Sequence, residues 1–161
     1  MQGVLINKCV CMQDIMDVIG DEVGEKYQWF AVYYEFALEK YPDALPFSEE
    51  YVVVDWKTLK EVMKDRFQII WGSFSAIPKG VSKQEIMDGG LVDAEIAVNK
   101  YFKPDPRKID HPLADMEILF CDGTDVAFLA KNEALEQRIA QKFTEYDCSQ
   151  SCPIRRGKVK V

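Results

Sequence analysis

Short runs of β-branched, aromatic and other apolar side chains recur along the chain between polar segments. Such runs are typical of β-strands and predict strands at 3–10, 51–55 and 66–80. A further strand is predicted at 26–36, where side chains alternate between two faces. The stretch 26–36 carries large apolar groups on both faces, which indicates a strand that is covered on both sides of the sheet.

A β-hairpin is predicted in the sequence MEILFCDGTDVAFLAK. Asp122 and Gly123 lie there between two alternating apolar runs, and an Asp-Gly dipeptide favours a tight turn. The segment 91–102 fits two patterns, either the alternation of a strand or a helical stripe that Glu95 interrupts. We predict a strand there and keep the helix as the alternative.

Apolar side chains at intervals of three and four residues predict helices between these strands. Gly20 weakens the first helix. Asp55, Ser82 and Asn132 are expected to cap the other three, since their side-chain oxygens can accept from the free amides of a first turn. The predicted helices are 11–24, 55–65, 83–88 and 133–143.

Strands outnumber helices in this prediction, and most of the connections suit antiparallel neighbours. The expected fold class is therefore α+β, with a mainly antiparallel sheet and helices packed on one side. A length of 161 residues suggests one domain. We assign 1–147 to a single α+β domain and 148–161 to a basic C-terminal tail.

The chain is acidic, with 20 Lys and Arg against 27 Asp and Glu and a net charge of −7. Four of the cations lie in 148–161, which has no acid, so 1–147 carries 16 cations against 27 acids. A body of this sign repels phosphate backbones, so we do not expect a nucleic-acid partner. Solubility is the ordinary reason for such a surface, and a basic protein partner is the alternative.

Neither a targeting signal nor a membrane-spanning segment is apparent in the sequence. The first residues lack the cations of a signal peptide, and no apolar run reaches the length of about 18 residues that a membrane span needs. We therefore expect a cytoplasmic protein that does not associate with membranes. The five cysteines fit reduced thiols better than a disulfide framework.

Several segments resemble an uncharacterised family of small bacterial cytosolic α+β proteins, a domain of unknown function. The resemblance implies an α+β fold and a bacterial source. It implies no activity and identifies no functional residues. The segments that carry it are YQWF at 27–30, VDWKTLKEV at 54–62, FSAIPKG at 74–80 and MEILFCDGTDVAFLAKNEALEQRI at 116–139.

Four cysteines are the candidate metal ligands: Cys9, Cys11, Cys148 and Cys152. Three residues separate Cys148 from Cys152, which suits one half of a zinc site, whereas one residue separates Cys9 from Cys11, a spacing that in extended chain holds two thiolates poorly for one ion. The alternative is that the first pair lines the core and the second is exposed. We favour that alternative, and we predict no cofactor because no phosphate loop, dinucleotide motif or metalloprotease helix occurs.

His111, the only histidine, is the candidate catalytic base, and the adjacent Asp110 could orient it. The alternative is a solvated histidine in a charged loop. Aromatic side chains form a candidate binding surface, with core packing as the alternative. The aromatic binding candidates are Tyr27, Trp29, Tyr33 and Trp56.

Three functional hypotheses remain open from the sequence. The leading one is a non-enzymatic, immunity-like or interaction module whose acidic face binds a basic protein partner. The second is a small-molecule-binding protein or small enzyme with a site near His111 and the aromatic sheet face. The third is a homodimer that buries the aromatic face. The tail 148–161 is expected at the surface, with an added edge strand or a docking arm as alternatives.

Overall fold

An antiparallel sheet of six strands forms the centre of the protein in a computed structural model that describes residues 3–36, 50–65, 68–92 and 108–144. The order across the sheet is β1-β6-β5-β4-β2-β3. The predicted α+β class, with an antiparallel sheet in a single domain, is confirmed. The strands are β1 (Val4–Asn7), β2 (Tyr27–Phe36), β3 (Tyr51–Asp55), β4 (Ile69–Pro78), β5 (Met116–Cys121) and β6 (Asp125–Ala130).

Five helices lie between or after these strands in the described ranges. Gly20 adopts a φ of +76° and divides the first predicted helix into two short ones. The predicted caps are confirmed, since Asp55, Ser82 and Asn132 each accept a hydrogen bond from the first turn of the helix they precede. The helices are α1 (Met12–Ile19), α2 (Asp21–Gly24), α3 (Trp56–Met63), α4 (Lys83–Asp88) and α5 (Glu133–Thr144).

The two faces of the sheet are covered differently. One face, which carries Trp29, Phe74 and Phe128, packs against α1, α2, α3 and α5 in the largest apolar cluster. We call it the helix-covered face. The opposite face, which we call the second face, packs instead against the short α4 and the loop 108–114. This second cover explains why β2 is apolar on both sides, as its alternation predicted.

The hairpin between β5 and β6 turns at the predicted dipeptide. Asp122 and Gly123 both adopt positive φ angles, 53° and 66°, and the amide of Thr124 donates to the carbonyl of Cys121 at 3.3 Å, so a tight turn closes a three-residue loop. The turn sets Cys121 opposite Asp125 and Met116 opposite Ala130. It thereby brings the start of β5 beside the end of β6, and a cavity lies at this end of the hairpin.

Two predictions fall on segments about which the structure gives little. Only Leu91 and Val92 of the predicted strand 91–102 are described, and the basic tail 148–161 lies wholly outside the described residues. Among the helices that are described, none combines the length and apolar character needed to cross a bilayer.

Candidate functional site

His111 is buried beneath α4, with 1% of its surface exposed. Its Nε2 donates to the carbonyl oxygen of Ile86 at 3.0 Å, and its Nδ1 accepts from the amide of Leu113 at 3.2 Å. The ring also packs edge-on against Phe30. Both ring nitrogens are thus used by backbone groups, so the geometry gives no support to a catalytic base at this position.

In the contacts that the structure describes, the Asp110 carboxylate does not hydrogen-bond to the His111 ring. Instead, the amides of both residues donate to Glu117 on β5. The Asp110 amide lies 2.7 Å from Oε2 and the His111 amide 2.6 Å from Oε1. Ser75, opposite Glu117 in the sheet, adds a longer hydroxyl contact of 3.3 Å to Oε1. This cluster fastens the loop 108–114 to the second face.

Burial perturbs the titration of both side chains in this cluster. Desolvation raises the pKa of Glu117 to about 7, against the opposing effect of the hydrogen bonds from Asp110, His111 and Ser75. Desolvation likewise lowers the pKa of His111, which favours the neutral ring that donates from Nε2. The carboxyl group of Glu117 can therefore gain or lose its proton near neutral pH.

The raised pKa of Glu117 predicts a specific pH dependence of stability. Because the folded pKa of about 7 exceeds the ordinary value of 4.5, the folded chain binds the extra proton. The stabilisation is complete below pH 4.5 and is lost as the pH rises through 7. We expect the free energy of unfolding, relative to Glu117→Gln, to fall by up to about 3 kcal/mol across this window.

Urea unfolding at several pH values from 4.5 to 8, with both proteins in the same buffers, measures this difference. The lowered carboxyl pKa values of Asp21, Asp55 and Glu85 affect both proteins alike and cancel in the comparison. Parallel stability curves for the two proteins would contradict the prediction.

The four aromatic candidates do not form one surface. Trp29 and Trp56 are buried in the core with ring centroids 5.3 Å apart. Tyr33 is 40% exposed, at a positive φ of 50° where the β2–β4 register is irregular. Tyr27 is half-buried and lines a cavity. Core packing therefore accounts for most of the surface of the two tryptophans, while Tyr27 and an edge of Trp56 line two separate concave sites.

The cysteine candidates are only partly covered by the structure. Cys9 is half-buried and, like Cys121, is present as a thiol. Cys11 is buried and disulfide-bonded, which contradicts the expectation of reduced thiols at this position. Cys148 and Cys152 lie outside the described residues. Within the described ranges, no group of three His, Cys, Asp or Glu side chains is arranged to hold a metal ion.

Helices α1 and α2, with the residue that follows them, present a group of acidic side chains to solvent. From Cys9 to Glu25 the sequence has five carboxylates and no lysine or arginine. All except the half-buried Asp14 are exposed. We call this set the acidic helix surface, and it consists of Asp14, Asp17, Asp21, Glu22 and Glu25.

A groove of about 490 Å³ runs along the edge of the acidic helix surface, between α2 and α3. Asp21 occupies its centre, where its Oδ1 accepts from Trp56 Nε1 and from Lys60 Nζ, each at 2.7 Å. These two contacts, led by the one from Lys60, lower the pKa of Asp21. Glu25 and Lys57 line the same groove. The groove therefore offers charges of both signs over the edge of a buried indole.

Sequence reasoning identified the acidity of the whole chain and missed its concentration on α1 and α2. The sequence signal was ambiguous, because 109–130 is a longer stretch without lysine or arginine and also has five acids. Glu117 was also missed. An acid at an alternating position inside MEILF, a strand that is otherwise apolar, was the available sign of a buried carboxylate.

Among the carboxylates that the structure describes, only those of Glu117 and Glu136 are buried. The others lie at the surface or half-buried, so the negative charge of the described part of the chain faces solvent. Comparisons with protein-family models, with curated proteins and with solved structures found no match for this chain. The resemblance to an uncharacterised bacterial family, and the source it implies, stay predictions.

Proposed function

We propose that this protein is a non-enzymatic binding module for a basic protein partner, and that the acidic helix surface is its docking site. The observation that carries the proposal is the run of five carboxylates without a cation on α1 and α2. Charge of one sign on one surface attracts an oppositely charged partner and accelerates its association.

The contacts of the acidic side chains support this assignment. Lys60 pairs with Asp21 at 2.7 Å, and the structure shows no ion pair from the described residues to Asp17, Glu22 or Glu25. Unpaired carboxylates do not have to break an existing ion pair before they bind a partner's lysine or arginine. The groove beside them has lysines as well as acids in its lining, so the acidic side chains along its edge, and not the Trp56 ring, are the groups that attract a cation.

The alternatives fit this surface less well. Phosphate groups would be repelled by the same carboxylates that favour a basic protein. A homodimer formed face to face through α1 and α2 would place like charges opposite each other, which is unfavourable. An enzyme that uses His111 as its base lacks a ring nitrogen free of backbone hydrogen bonds.

Charge reversal tests the proposal. The variant Glu22→Lys/Glu25→Lys changes the acidic helix surface, and Glu35→Lys/Asp88→Lys makes the same change in net charge at exposed positions elsewhere. A partner captured from the source cells is purified and its Kd is measured by calorimetry with all three proteins. We expect the first variant to bind at least about tenfold more weakly, and the second to bind nearly as wild type.

The salt dependence of the wild-type Kd provides a second measurement. Affinity should fall as sodium chloride rises from 50 to 400 mM, roughly the range over which surface charges become screened. Equal binding of both variants, or a purified partner that is itself acidic, would contradict the proposal.

A further inference from the structure

A cavity of about 280 Å³ lies at the end of the sheet where β2 and β5 begin and β6 ends. The helices α2 and α5 complete it. Its apolar wall is formed by Val23, Met116 and Leu135. This volume is close to the lower limit of about 300 Å³ for small-molecule sites, so it suits a small metabolite rather than a nucleotide.

The polar side of the cavity is a compact group of three side chains. Asp115 Oδ1 lies 2.7 Å from Lys131 Nζ, and Tyr27 lines the cavity beside them. Partial burial and the nearby Asp115 carboxylate together raise the pKa of Tyr27. Asn132 adds a fourth polar lining residue and caps α5 with its Oδ1.

The backbone fixes the position of these groups. The amide of Asp115 donates to the carbonyl of Ala76 at 2.9 Å, and the amide of Lys131 donates to the carbonyl of Asp115 at 2.9 Å. Both residues therefore extend the sheet ladder beyond Met116 and Ala130. A polar group held on such a frame keeps its geometry better than one on an unsupported loop.

We propose that this cavity binds a small free α-amino acid with an aliphatic side chain. The ammonium group contacts the carboxylate of Asp115, the carboxylate contacts Lys131, and the aliphatic side chain packs against Val23, Met116 and Leu135. An α-amino acid carries its ammonium and carboxylate groups on the same carbon atom, and Asp115 and Lys131 present the complementary pair 2.7 Å apart.

Ligands with a single charge match the site less well. An amine that lacks a carboxylate must compete with Lys131 for Asp115, and a carboxylate that lacks an amine lies next to the negative charge of Asp115. A zwitterion satisfies both groups without changing the net charge of the site. The proposal concerns a surface separate from the acidic helix surface, and it does not depend on the proposed function.

Calorimetry with three related compounds tests the proposal on the full chain. We expect L-leucine to bind, and both 3-methylbutylamine, which lacks the carboxylate, and 4-methylpentanoate, which lacks the ammonium, to bind at least about tenfold more weakly. Asp115→Asn and Lys131→Met should each weaken leucine binding about tenfold or more. The matched control Asp88→Asn/Lys57→Met, which lies outside the cavity, should leave it unchanged.

Tyr27→Phe offers a milder variant, because it keeps the ring and removes only a hydroxyl group from the polar side of the cavity. We expect it to weaken leucine binding by about five- to tenfold. Absence of leucine binding to wild type at concentrations up to about 10 mM would overturn the proposal. Equal binding of leucine and 3-methylbutylamine would overturn it as well, since the site would then recognise the ammonium alone.

Discussion

Replacing Glu117 with alanine is expected to lower the free energy of unfolding by about 2–4 kcal/mol at pH 6, because it leaves two amides without their acceptor. The amides of Asp110 and His111 lie 2.7 and 2.6 Å from the carboxylate. The residue is 0% exposed, so water cannot replace the lost acceptor without entering the second face. Urea unfolding followed by tryptophan fluorescence measures the effect.

Hydrogen exchange locates the consequence of the same substitution. The amides of 109–114 should lose their protection from exchange. The amides of β1 and α5, which belong to another part of the fold, should keep it. Ser75→Ala is the matched control, because its hydroxyl makes only a 3.3 Å contact to the same carboxylate, and its cost should stay below about 1 kcal/mol. Equal costs for the two substitutions would show that Glu117 does not hold the loop.

The importance of Glu117 shows a limit of prediction from alternation. Alternation along β5 sets Met116, Ile118 and Phe120 on one face, and all of them are buried in the main core. It sets Glu117 on the opposite face, which the sequence prediction left without a helix. That face is covered because the loop 108–114 and α4 fold back across it. Contacts of this kind between separate segments leave no periodic pattern of apolar residues in the sequence.

Local signals were the most predictable. The caps at Asp55, Ser82 and Asn132 and the turn at Asp122-Gly123 depend on hydrogen bonds and φ angles within a few residues, so the sequence alone specifies them. The division of the first helix at Gly20 was less predictable. A glycine lowers the stability of a helix, but tertiary contacts determine whether the helix continues through it.

The two candidate sites also differ in how far the sequence alone could predict them. The acidic helix surface occupies one continuous stretch, 9–25, but a count of charges selects 109–130 equally, and only the exposure of the side chains separates the two. The cavity combines Tyr27, Asp115 and Lys131, which lie far apart in the chain and meet only because the strands pair in this order. Its polar residues are individually ordinary, and their proximity is a property of the sheet.

Gly24→Ala is expected to destabilise the protein by about 2–4 kcal/mol, although alanine is normally the better helix residue. A Cβ at this position would lie 2.3 Å from both Cδ2 and Cε2 of the Trp56 indole. The indole is 2% exposed, packs on Trp29, and donates to Asp21 at 2.7 Å. Because it cannot move outward without losing these contacts, the helix α2 must shift instead. Thermal and urea unfolding measure the cost.

A double-mutant cycle with Trp56→Leu separates this clash from other effects of the methyl group. With the smaller side chain at 56, Gly24→Ala should cost less than about 1 kcal/mol, and an undiminished cost would contradict the steric explanation. The same shift of α2 would displace Asp21 and Glu25, which line the groove. If the groove helps to hold a basic partner, Gly24→Ala must also weaken that binding under conditions where the variant remains folded, because the packing of Trp56 positions these carboxylates.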